Sequence, residues 1–250
     1  MIMVRLRTIR QLDMGGELMN SKNKTLYLTQ FSILLAIEAI FCFTPLGSIP
    51  VGVIVATLMA IPVIITAVLL GPKAGSLMGA FAGVFSLIVW TFTPPNPVVA
   101  FVFSPFYASG EFTGNIGSLV ICFVPRVLVG TVSGIVFKAL SKGKSIKDIF
   151  ALSISAVLGS LVNTVGVLGG IWLFFGKQYS SALGGSLIAI IGVIILTNGI
   201  PEAVVNAVVV PAVCKPVKTV LKGILRLDSS VISGLIFITS GRVPKQSMII

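Results

Sequence analysis

Histidine is absent from this 250-residue chain. That removes the commonest metal ligand and the commonest general base. Acidic side chains number only 7 against 18 Lys and Arg, a formal charge of +11. The three cysteines, Cys42, Cys122 and Cys214, stand far apart, form no C-x-x-C pair, and each lies in or beside an apolar run. Neither a metal site nor a disulfide framework follows, and they read as buried small hydrophobes. No G-x-x-x-x-G-K-[ST] phosphate loop occurs, so the chain carries no such nucleotide-binding signature. Charge of any sign is scarce, at 10% of residues against about 25% in a soluble domain.

What fills the chain instead is apolar: 56% of residues are hydrophobic and the mean hydropathy is +1.09. This composition defines an all-α, polytopic membrane protein. The basic excess does not point to nucleic acid, because the charges sit between apolar runs, as a topology signal does. Six runs read as transmembrane helices: 26–43, 51–70, 74–92, 118–140, 149–175 and 186–214. They divide the chain into a basic N-terminal extension (1–25), a six-helix membrane domain (26–214) and a basic C-terminal tail (215–250). Met19 opens an alternative start, which makes 1–18 a leader without a structural role. With both termini cytoplasmic, sixteen of the eighteen basic residues lie inside, Lys177 lies outside and Arg126 lies within the membrane. This asymmetry indicates an N-in, C-in topology.

That topology puts the connection 93–117, TPPNPVVAFVFSPFYASGEFTGNIG, on the outside. Its apolar segment of about ten residues is too short to cross a bilayer. It reads as a re-entrant or interfacial lid over a cavity, with a passive surface loop as the alternative. Trp90 closes the third run, where an interfacial aromatic is expected. Gly199 and Pro201 predict a kink or break in the sixth.

The stretch SLVICFVPRVLVGTVSGIVFKAL, residues 118–140, places Arg126 in its outer third. An arginine inside a membrane helix costs about 2.5–3.5 kcal/mol on insertion scales, less if it faces a polar cavity or meets an anion. Pro125 has no N–H, so the carbonyl four residues back loses its donor. Two readings stand: Arg126 lines a cavity and holds an acidic solute, or it pairs with Glu38 of the first helix. In this topology Glu202 falls in the inner half of its helix, a poor partner for Arg126, and reads as a local structural acceptor or part of an inner docking surface. Ser32 and Ala36 lie four apart on one face of the first helix, a spacing that permits close helix approach, internally or to a partner.

Six helices, an outer polar site and a lid describe a cup open to the outside, with no energy source of its own. A solute receptor that borrows energy from a partner fits this best. An intramembrane enzyme would have to use Ser, Lys or Glu, and no Ser–Lys pair shares an obvious helix face at mid-depth. A stand-alone secondary transporter often shows paired broken helices, and the region around Gly199–Pro201 has no evident counterpart.

The Ser32/Ala36 pair and LGPKAGSLMGAFAGVFSLI resemble the substrate-binding (S) components of energy-coupling factor (ECF) transporters. SPFYASGEFTGNIGSLVICFVPRVLVG and NGIPEAVVNAVVVPA resemble the pantothenate-type subgroup. The resemblance implies a six-helix subunit that binds a vitamin under closing loops. It also implies a transmembrane coupling subunit and a pair of ATPase subunits as partners. ATP would be used by those partners, with no cofactor in this chain. Ser32 and Ala36 would face the coupling subunit; the family form is Ala-x-x-x-Ala, from which Ser32 departs mildly. For pantothenate, Arg126 would take the carboxylate, Asn163 the amide or a hydroxyl, and Trp90, Phe103 and Tyr107 would cover the dimethyl end. Riboflavin, folate, biotin and thiamin are bound by other members with the same fold.

Overall fold

The computed structural model describes residues 24–44, 47–51, 54–141 and 145–239. The expected extension up to residue 23, with its alternative start, and residues 240–250 of the tail lie outside them. Helix α1 is Lys24–Phe43. A two-stranded antiparallel hairpin follows, β1 (Ser48–Val51) and β2 (Ile54–Thr57), with Ser48 opposite Thr57 and Val51 opposite Ile54. Then come α2 (Ala60–Leu70), α3 (Pro72–Phe92), a 3₁₀ segment (Pro97–Val102), and a short β3–β4 ribbon (Ala108–Ser109 and Phe112–Thr113). The chain continues through α4 (Ile116–Leu140), α5 (Ser145–Leu183) and α6 (Leu187–Ile194). A π-helical turn (Ile195–Gly199) then leads into α7 (Ile200–Thr239).

Among the described residues five helices are long and apolar enough to cross a membrane: Lys24–Phe43, Pro72–Phe92, Ile116–Leu140, Asp148–Leu183 and Leu187–Val220. The all-α polytopic class holds. The second expected span does not form as one helix. Its first half is the hairpin, and α2 has only 11 residues, about 16 Å of rise against a hydrocarbon core of about 30 Å. The cause is local: 51–57 reads VGVIVAT, a β-branched run interrupted by glycine, which favours strand over helix. Pro62 then falls in the first turn of α2, where no intrahelical donor is lost. Residues Ala60–Val68 are all buried, as a helix apolar all round requires.

Helices α3 and α4 meet at glycines. A Cβ on Gly79 would strike the Arg126 carbonyl, and one on Gly130 would strike the Gly75 carbonyl. Small residues allow the backbones this close approach. The contact also sets how far Arg126 stands from α3.

The connection after α3 folds back onto the bundle. Asn115 caps α4 by accepting from the Gly117 N–H at 2.7 Å, and the Ser118 hydroxyl donates to the Phe101 carbonyl at 2.7 Å. At the other end the hydroxyls of Thr91 and Ser104 lie 2.7 Å apart. Phe101 is wholly buried, edge-on to Phe175 with centroids 5.6 Å apart. Trp90 stacks on Phe103 at 4.5 Å and is 3% exposed. It is therefore a core residue under the connection, not an interfacial aromatic. Large apolar side chains such as Ile33, Phe92, Trp172 and Leu196 stay exposed, as a lipid-facing surface requires.

Candidate functional site

One cavity gathers side chains from five elements: Trp90 of α3, Val99 and Phe103 of the connection, Arg126 of α4, Asn163 through Tyr179 of α5, and Ile194, Asn198, Gly199 and Glu202 around the π turn. Its empty volume is about 750 Å³, open solvent at the mouth included. The wall is apolar and aromatic apart from a few polar groups. Strand β2 packs against the π turn, so the hairpin braces that wall.

Arg126 is held from its own helix. Pro125 supplies no N–H to the Ile121 carbonyl, and Nη1 of Arg126 donates there at 3.2 Å and to the Cys122 carbonyl at 2.8 Å. Nη2 donates to the buried Ser86 hydroxyl at 3.1 Å, and the guanidinium lies 5.9 Å from the Phe103 ring centroid. The proline thus frees the acceptor that helps to fix the charge beside it. Glu38 is wholly buried, and its Oε1 accepts from the Cys42 thiol at 3.3 Å. Its Oε2 has no hydrogen-bond partner among the described residues. The arginine is therefore not locked to Glu38. A smaller cavity lined by Met59, Ala60, Val63, Ala82 and Val129 lies against Arg126 and Asn163.

Asn163 Nδ2 lies 3.5 Å from Glu202 Oε1, and Glu202 lines the same cavity as Arg126. The sequence reading set Glu202 and Arg126 in different halves of the membrane; the structure puts them on one cavity. The apolar helix Leu187–Val220 has 34 residues, about 51 Å of rise. In a helix so much longer than the membrane, with a π turn inside, counting from an end does not fix depth.

Of the expected binding residues, Trp90, Phe103, Arg126 and Asn163 come together on this cavity. Tyr107 does not line it; it packs, half-buried, against the aromatic cluster around Trp90 and Phe101. Ser32 and Ala36 are exposed on α1, away from the cavity. The fifth run is expected to end at 175, whereas α5 runs on to Leu183 and carries Tyr179 into the wall. The signal was present as the spacing 164, 168, 171, 175, 179, one face of a helix.

These features define a multi-pass membrane protein with a cavity, lined by aromatic, apolar and a few polar side chains, among its helices. The chain belongs to the family of ECF transporter substrate-specific components, whose model matches residues 26–214. It is a multi-pass protein of the cell membrane with a transport role. Among curated proteins it is 34% identical over 165 residues to the pantothenic acid transporter PanT of Lactococcus lactis subsp. cremoris, covering 64% of this chain and 78% of that one. It is 31% identical over 156 residues to the pantothenate transporter PanT of Leuconostoc mesenteroides, covering 59% and 69%.

Proposed function

We propose that this chain binds pantothenate from outside the cell as the substrate-binding subunit of an ATP-driven importer. The observation that carries the reading is the Arg126 guanidinium, held at the wall of a largely apolar cavity beside Trp90 and Phe103. Both curated relatives are named for this vitamin. Pantothenate is a monoanion with hydroxyls, one amide and a geminal dimethyl group. A guanidinium has five N–H donors, and the three bonds above leave donors for a bidentate carboxylate pair. Asn163 offers donor and acceptor to the amide or a hydroxyl. Trp90 and Phe103 cover the dimethyl carbon, and Tyr107 supports the segment that carries Phe103.

In this reading the topology is N-in, C-in, the hairpin with α2 takes the place of the second span, and the connection after α3 is the external lid. Ser32 and Ala36 dock a transmembrane coupling subunit. A pair of ATPase subunits consumes the ATP, and the chain itself needs no cofactor. The test is pantothenate binding to the purified chain in detergent, read by intrinsic tryptophan fluorescence. Arg126→Ala weakens binding by about tenfold or more, equivalent to about 1.4 kcal/mol, with an unchanged melting temperature. Unchanged affinity rejects the carboxylate role.

A further inference from the structure

A groove between α1, α2 and α7 is separate from the cavity of Arg126. Ile33 and Ile37 of α1, Ile65 and Leu69 of α2, and Val209 and Val213 of α7 line it, and its empty volume is about 1080 Å³, open space at its mouth included. None of these side chains lines the central cavity. The two ends of the groove differ. The sulfur of Met59, just ahead of α2, lies 3.3 Å from that of Cys42 near the end of α1, so α2 runs back along α1. Phe41 and Ile61 therefore mark one end of the groove, and Gln30 and Leu70 the other. Residues 44–59, around the first end, include no charged residue. The second end is basic. Lys73 follows Leu70 in the turn that begins α3. A Cβ on Gly134 would strike Pro72, and one turn further along α4 the Lys218 ammonium stands 3.6 Å from the Phe137 ring centroid. Val217 of the groove, between Lys215 and Lys218, thus reaches the same end. Lys24 opens α1, about 9 Å of rise before Gln30. Lys24, Lys73 and Lys215 are all exposed.

We infer that this groove holds one acyl chain of an anionic phospholipid, with the headgroup at the lysines. The length fits. From Gln30 to Phe41 the groove follows α1 for about 16 Å, and α2, its floor, has 11 residues, a similar rise. That is about half of a hydrocarbon core of about 30 Å, the depth of a single leaflet. A membrane-crossing helix laid along the groove would extend well past it, whereas one acyl chain ends where the groove does. The charge fits as well. Apolar walls gain little over bulk lipid and select no headgroup, so selection falls to the basic end, where each exposed lysine attracts anionic lipid. In the N-in, C-in topology proposed above, that end faces the cytoplasmic leaflet, the one with the negative surface potential. At 3.6 residues per turn, Ser32 and Ala36 stand on the opposite flank of α1 from Gln30, Leu34 and Phe41. A lipid in the groove therefore leaves that pair uncovered. The inference does not depend on which solute fills the central cavity.

Native mass spectrometry of the purified full chain in detergent tests this. Phosphatidylglycerol and phosphatidylcholine with matched acyl chains are added at equal concentration, and the retained lipid is counted. Wild type retains one phosphatidylglycerol in preference to phosphatidylcholine by about tenfold or more. The triple variant Lys24→Gln, Lys73→Gln, Lys215→Gln brings that preference to within about twofold. Val213→Trp fills the groove, and lipid retention falls by about tenfold while pantothenate affinity stays as in wild type. If Val213→Trp fails to fold, the triple variant, altered only at exposed positions, decides the matter. Equal retention of the two lipids by wild type overturns the proposal. A preference that survives loss of the three lysines also overturns it, as does full retention by Val213→Trp, which places the lipid elsewhere. If the free chain retains neither lipid and Val213→Trp blocks assembly with the coupling subunit, the groove seats a partner helix and the lipid assignment falls.

Discussion

The glycine contact between α3 and α4 makes a quantitative claim about how Arg126 is positioned. An ideal Cβ built on Gly79 lies 2.9 Å from Val127 Cα and closer still to the Arg126 carbonyl. Carbon atoms settle at about 3.5–4.0 Å, so alanine there forces the backbones apart by about 0.6 Å at Val127 and further at the carbonyl. None of these atoms is the end of a flexible side chain, so nothing rotates out of the way. Overpacking of this kind costs about 1–3 kcal/mol. Gly169 provides the control, because an added Cβ meets no heavy atom within 4 Å. Alanine there gains up to about 1 kcal/mol of helix propensity. The two variants are expected to differ by about 4 °C or more in melting temperature. Because α4 carries Arg126 away from Ser86 and from the cavity, Gly79→Ala also weakens pantothenate binding by about tenfold. Thermal unfolding in detergent and a fluorescence titration read the two effects. Equal melting temperatures together with wild-type affinity in Gly79→Ala would refute the idea that this contact places the guanidinium.

Ala36→Leu enlarges an exposed position on α1 far from the cavity. It is expected to abolish pantothenate uptake by the assembled transporter while purified protein binds normally; normal uptake shows that this face is not the docking seam. Glu38→Met replaces a wholly buried carboxyl group whose Oε2 has no hydrogen-bond partner among the described residues with an apolar chain of similar length. It is expected to raise stability by about 1 kcal/mol or more, read as a higher melting temperature. A lower one shows that the carboxylate is paired in the folded protein.

Much of the frame was legible because a bilayer leaves few options: long apolar runs become helices, since every backbone group must be satisfied internally. Arg126 stood out because its cost demands compensation, and Pro125 identified the carbonyl that supplies part of it. Asn163 and Trp90 were likewise visible as polar and aromatic exceptions in apolar runs. What was not legible depended on geometry between segments. The run 51–70 is apolar throughout, and hydropathy alone does not distinguish one long helix from a hairpin followed by a short buried one.

Glu202 shows the same limit at the level of function. Residue counting assigns depth correctly only when a helix is about as long as the membrane is thick and regular along its length. Leu187–Val220 is neither, with 34 residues and a π turn inside. Two charges assigned to opposite leaflets thereby come to share one cavity.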